Sequence, residues 1–155
     1  MKERLSIQPI APEELELVAE MNRQLQSDEG SRVMALDDAI RRLSKWLANE
    51  YSCHVYRVNG QIAGYVLYRS TDPDTEDHSD AVYIRHFYIV PEFRGHGLGK
   101  AAFALLTEEV LPSETCITLE ALVANPSGRA FWKALGFQEY SIRYERKPDS
   151  KNAPQ

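Results

Sequence analysis

The stretch Val90 to Lys100 (VPEFRGHGLGK) constrains this chain more than any other. An apolar strand passes through Pro91 into Arg94-Gly95-His96-Gly97-Leu98-Gly99, and a helix opens behind it. Glycine adopts backbone conformations closed to other residues and lets a ligand come close to the main chain, so glycines packed at a strand-to-helix turn aim N–H groups outward. The helix N-terminus adds roughly half a positive charge, which stabilises a bound phosphate without a lysine of its own. The stretch therefore predicts a ligand that carries phosphates.

The details narrow the choice. A dinucleotide fingerprint needs G-x-G-x-x-G and an acidic residue about 20 positions later, but here the glycines run G-x-G-x-G behind an arginine. No G-K-[ST] follows, which excludes the P-loop. The pattern that fits is R-x-x-G-x-G. Upstream, Ala81 to Val90 (AVYIRHFYIV) is an apolar, aromatic-rich strand, and downstream Leu119 to Phe137 (LEALVANPSGRAFWKALGF) gives a strand, an asparagine and a helix ending in Leu135-Gly136-Phe137. In their order and spacing these segments resemble the GNAT superfamily of acetyl-CoA-dependent N-acetyltransferases.

That resemblance implies a mixed α+β fold, with a mostly antiparallel twisted sheet of six to seven strands splayed between the fourth and fifth and flanked by about four helices. It implies that the amides of Gly95, His96, Gly97, Leu98 and Gly99 hold the coenzyme A pyrophosphate, with Lys100 beside it and Arg94 at the family's Gln/Arg position. The main chain of Phe87, Tyr88 and Ile89 is expected to hydrogen-bond the pantetheine arm as though it were an added strand. Asn125 is either an N-cap of the following helix or a pantetheine contact as well. Trp132 is expected to lie beside the thiol. No metal is expected.

The rest of the chain reads as one domain over residues 1–147 with a disordered tail over 148–155. A strand runs over Arg4–Ile10, and Pro12 sits near the start of a helix to about Leu25, where its missing N–H is harmless. In a second helix, about Leu36–Asn49, the residues Leu36, Ile40, Leu43 and Leu47 fall on one apolar face. Both helices are expected to flank the substrate cleft. Cys53–Val58 and Gln61–Arg69 are strands, and Asn59-Gly60 between them is a strong hairpin signal. Thr71–Asp80 is a polar acidic loop in which His78 has no second ligand at metal spacing. Strict alternation in the fourth strand sends Tyr83, Arg85, Phe87 and Ile89 to one face and Ile84, His86, Tyr88 and Val90 to the other.

Composition agrees with these expectations. At 155 residues and 43% hydrophobic, the chain suits one domain burying about two thirds of its unfolded surface. The net charge of −5 speaks against nucleic-acid binding, which favours a basic stripe, and tolerates a cationic amine. Neither a signal peptide nor a run of 18 apolar residues is present, so a cytoplasmic location and no membrane partner are expected. Cys53 and Cys116 read as core thiols.

The expected chemistry is attack of a neutral primary amine, of a small molecule, on the thioester carbonyl in a ternary complex. A protein amine, or a binder that has lost catalysis, is the alternative, and the chain is expected to be a monomer or homodimer. The ammonium must lose a proton and the departing thiolate gains one. Many relatives supply the latter from a tyrosine four residues before the glycine of Leu-Gly-Phe, a position that here is Trp132, and indole is no acid. For the base the candidates are His86, by intrinsic pKa, and Tyr83, where some relatives carry a glutamate. Tyr88, Tyr140 and Tyr144 are further phenols placed near the cleft by resemblance.

Overall fold

The computed structural model describes residues 4–71 and 81–148. The strands are β1 (Leu5–Pro9), β2 (Ser52–Val58), β3 (Gln61–Ser70), β4 (Ala81–Ile89) and β5 (Cys116–Leu119). The helices are α1 (Leu15–Asp28), α2 (Leu36–Ala48), α3 (Leu98–Leu105) and α4 (Pro126–Ala134). The strands form a sheet in the order β1-β2-β3-β4-β5, antiparallel from β1 to β4, with β5 parallel to β4. Among the described residues no helix is long and apolar enough to cross a membrane.

Local sequence explains most of these elements. Asn59 and Gly60 both take positive φ, 51° and 87°, as the tight β2–β3 hairpin demands. Pro12 opens a 3-10 turn, Pro12–Glu14, that runs into α1. There Glu14 is buried and accepts from the Ala11 N–H at 2.8 Å, while its other oxygen pairs with Arg57, which also donates to Gln8 at 2.6 Å. This half-buried ion pair ties the start of the helical layer to β1 and β2.

The sheet separates two cores. On one face α1 and α2 lay Val18, Met21, Ala39 and Leu43 against Cys53, Val55, Tyr65, Leu67 and Tyr88, and the predicted stripe of α2 packs there. On the other, α3 and the turn that follows it lay Leu98, Ala102 and Leu106 against Tyr56, Val66, Val82, Ile84 and Ile89. The placement of Val82 and Ile84 corrects the strict alternation expected of β4. Leu67 pairs with His86 but Tyr68 pairs with Ile84, so Arg85 is an extra residue in the ladder. A bulge shifts the phase by one. Upstream of it Ile84 therefore shares a face with Phe87 and Ile89, and Arg85 and His86 both approach Trp46 of α2.

The bulge also marks where the sheet opens. β4 pairs with β5 only from Ala81↔Cys116 to Ile84↔Leu119, and beyond it the two strands part. Among the described residues five strands are observed where six to seven were expected. Residues 135–148 form no helix or strand although Tyr140, Ile142 and Tyr144 alternate as a strand would, and these three side chains are exposed. The acidic loop with His78 and the tail fall largely on residues 72–80 and 149–155, outside the described residues.

Candidate active site

The glycine-rich turn forms an open cradle. Gly95 and Gly97 take φ of 88° and 75°, and Gly97 is the N-cap of α3. The first turn of a helix has amides with no intrahelical partner. From Gly95 to Lys100 the N–H groups donate to no main-chain carbonyl among the described residues, in contrast to Arg94, whose N–H reaches Pro91, and Ala101, whose N–H reaches Gly97. A Cβ on Gly95 or Gly97 meets nothing within 4 Å, whereas one on Gly99 lies 3.1 Å from Phe131. The first two glycines thus keep the cradle open, and Gly99 lets α3 approach α4. The side chains of His96 and Lys100 are exposed.

Beside the cradle, β4 offers an unpaired edge. The Val90 N–H bonds the Ala63 carbonyl, and alternation in an antiparallel ladder then points the main chain of Tyr88 and His86 at β3 and that of Phe87 and Ile89 away from it. Tyr88 is buried in the α1/α2 core. Arg94 caps this edge: its Nε donates to the Ile89 carbonyl at 2.7 Å, its Nη2 pairs with Asp28 at 2.8 Å, and its guanidinium lies 5.2 Å from the Tyr88 ring centre. The guanidinium fastens the end of β4 to the end of α1.

The splay ends in an open cleft lined by Leu25, Glu29, Ile84, Arg85, His86, Phe87, Leu119, Glu120 and Trp132. Trp132 stands edge-on to Phe87, Phe103 and Phe137 at 5.2 to 5.9 Å. Asn125 is the α4 N-cap: its Oδ1 accepts from the Gly128 N–H at 3.1 Å. A Cβ on Gly128 would lie 2.5 Å from Asn125 Nδ2, so a larger residue there would push the capping side chain aside.

His86 lies in a hydrogen-bonded network. Asn22 Nδ2 is 3.2 Å and Tyr65 Oη 3.1 Å from its Nδ1, and Arg42 donates to Asn22 Oδ1 at 2.7 Å. Burial, with the Arg42 and Arg85 guanidiniums nearby, pushes the imidazole pKa down to about 3. The ring is neutral at physiological pH and a weak proton acceptor, which counts against His86 as the base. Burial also raises the Tyr83 pKa, and its hydroxyl stands 3.5 Å from Glu120. Tyr140 and Tyr144 are 88% and 87% exposed and line no part of the cleft. Cys53 is held near 12 by burial and Glu14, so its thiol stays protonated; Cys116 lies half-buried on β5.

Two carboxylates in the cleft escaped the sequence reading. Glu29 follows the last turn of α1 and Glu120 follows β5, and nothing local in the sequence joins them. Burial, then Asp28, lifts the Glu29 pKa above its ordinary value. Its carboxylate is thereby a better base than an exposed glutamate.

Comparison with known proteins supports the same reading of the fold. No curated protein matches. Solved structures similar to this chain include a possible acetyltransferase from Clostridium difficile 630 (TM-score 0.75, 16% identity, 94% of this chain and 97% of that one). A predicted acetyltransferase with acetyl-CoA from Clostridium acetobutylicum is also similar (0.72, 21%, 93% and 96%), as is the aminoglycoside N-acetyltransferase AAC(6')-Iy in complex with CoA (0.71, 18%, 95% and 97%). The acetyltransferase (GNAT) family model matches residues 15–137, the span that holds the cradle, the splay and the cleft, and the chain belongs to that family.

Proposed function

We propose that the protein transfers an acetyl group from acetyl-CoA to a primary amine of a small molecule, by direct attack in a ternary complex. The observation that carries this reading is the continuity of the site. Free amides at Gly95–Lys100 suit a pyrophosphate, the edge of β4 at Phe87 and the Ile89 N–H suits an amide-bearing arm, and both lead to a cleft holding carboxylates. Asn125 Nδ2 and the face of Trp132 flank the path of the arm and the thioester.

In the proposed step, Glu29 takes a proton from the ammonium and the neutral nitrogen attacks the carbonyl carbon. The C–N bond forms, the C–S bond breaks as the tetrahedral intermediate collapses, and the nitrogen loses its second proton to solvent water. Trp132 donates no proton, so the thiolate leaves unprotonated and takes its proton from water, as a thiol pKa near 8.5 permits. Cys53 carries no acetyl group because its thiol is protonated and buried.

The test is coenzyme A release from acetyl-CoA across amino acids, polyamines, aminoglycosides and short peptides, against a blank without amine. Amine-dependent release supports the reading, and a peptide outcompeting every small amine moves it to protein substrates. Glu29→Gln is expected to lower kcat/KM by about 10²- to 10⁴-fold. It should also remove the loss of activity seen as pH falls through the raised Glu29 pKa; an unchanged acidic limb assigns the base elsewhere.

A further inference from the structure

Three guanidiniums from separate elements converge beside the cleft. Arg42 of α2 and Arg85 of the β4 bulge each stand 4.5 Å from the centre of the Trp46 ring. Arg85 Nη1 and Arg69 Nε of β3 both donate to the Tyr51 hydroxyl at 3.3 Å. None of the three lies within ion-pair distance of a carboxylate among the described residues, where Arg23, Arg57, Arg94 and Arg129 each have one. The Nε of Arg42 is buried with no hydrogen-bond partner, and the Arg42 pKa is lowered by burial and then by Arg85.

In a chain of net charge −5 carboxylates are plentiful, yet among the described residues these cations cluster against two aromatic rings rather than against a carboxylate. Like charges held together gain when an anion joins them, and planar guanidiniums suit a carboxylate. The cluster also has a direction. Arg85 lines the cleft whose other lining includes Glu29 and Glu120, so positive and negative groups face one cavity.

We infer that the acceptor is an amine that also bears a carboxylate, an amino acid, whose carboxylate is held by Arg85 with Arg69 and Arg42 while its amino group is directed to Glu29 and Glu120. This rests on the acyl-transfer reading above and adds the acceptor's chemical class to it. The Arg cluster then sets acceptor specificity, and binding the carboxylate aims the nitrogen at the thioester.

The experiment compares matched acceptors with the full-length protein: amino acids, the same amino acids as carboxamides, and a polycationic aminoglycoside. Coenzyme A release gives kcat and KM, and calorimetry gives amino-acid binding with and without coenzyme A. Amino acids are expected to exceed their carboxamides by roughly 10- to 100-fold in kcat/KM, the value of one or two charge-assisted hydrogen bonds. Arg85→Gln and Arg69→Gln should reduce that ratio chiefly through KM, with Arg85→Lys recovering part of it and acetyl-CoA affinity unaltered. Equal rates for acid and carboxamide, preference for the polycation, or a ratio untouched by either arginine substitution overturns the inference. If no amine drives release, the acyl-transfer reading fails; amino-acid binding that Arg85→Gln abolishes then sustains the carboxylate site alone, and its absence sinks that as well.

Discussion

Gly97 separates backbone strain from ligand contact within one residue. It caps α3 at φ 75° and ψ 11°, a left-handed conformation that costs an L-residue roughly 1–2 kcal/mol. Nothing lies within 4 Å of a Cβ built there, so no clash adds to that cost. For a chain of this size 1 kcal/mol moves Tm by about 2–4 °C, and Gly97→Ala should therefore melt about 2–8 °C lower. Asparagine tolerates the left-handed region, so Gly97→Asn should recover most of the loss. Cofactor affinity should not recover with it. The open space over Gly97 is where the proposed pyrophosphate meets the amides, and a side chain there displaces the anion. Losing two charge-assisted hydrogen bonds of about 1.5–3 kcal/mol each weakens binding by at least ~10²-fold. Thermal unfolding and calorimetric titration with acetyl-CoA give the two readouts on the same samples. A Gly97→Asn protein that binds acetyl-CoA as tightly as the wild type refutes the cradle.

Other measurements probe the cleft. The His86 pKa is about 3 against about 6.5 when unfolded, so the unfolded chain binds the extra proton. His86 should therefore cost stability progressively as pH falls from about 6.5 to 3, by at most ~1.4 kcal/mol per pH unit. His86→Gln should flatten that fall in denaturant titrations over the same window; an unchanged slope would place the imidazole in a wetter setting. Trp132→Phe should keep most turnover if the indole only fills space against Phe87, Phe103 and Phe137, and Trp132→Ala should lose less than the ~3–5 kcal/mol of a fully buried tryptophan. Trp132→Tyr should gain activity that fades as the phenol ionises at high pH; loss of turnover in both aromatic variants would show that the indole takes part.

Elements with a local cause were legible in the sequence. The Asn-Gly hairpin, Pro12 before α1, the apolar face of α2 and the glycine cradle depend on residues next to each other in the chain, and the structure places each within a few residues of expectation. The faces of β4 upstream of Arg85 were not legible, because a period-2 pattern carries no mark of a bulge. Tyr140, Ile142 and Tyr144 alternate convincingly, but strand formation needs a partner edge that alternation does not supply. Glu29 and Glu120 meet only through the fold. A whole-chain charge of −5 likewise carries no mark of local arrangement, since Glu29, Glu120 and Arg85 all line the one cleft.

The added residue at position 85 has a consequence for how β4 can vary through evolution. Replacing a side chain changes one contact. Removing Arg85 itself would restore regular phase and leave Val82 and Ile84 on the α3 face, because Arg85 is the position the ladder skips, whereas removing any other residue inside the strand would exchange the faces of the residues upstream of it. Natural variants of this strand should therefore accumulate as exchanges at constant length, with position 85 the one place inside the strand where a deletion is tolerated.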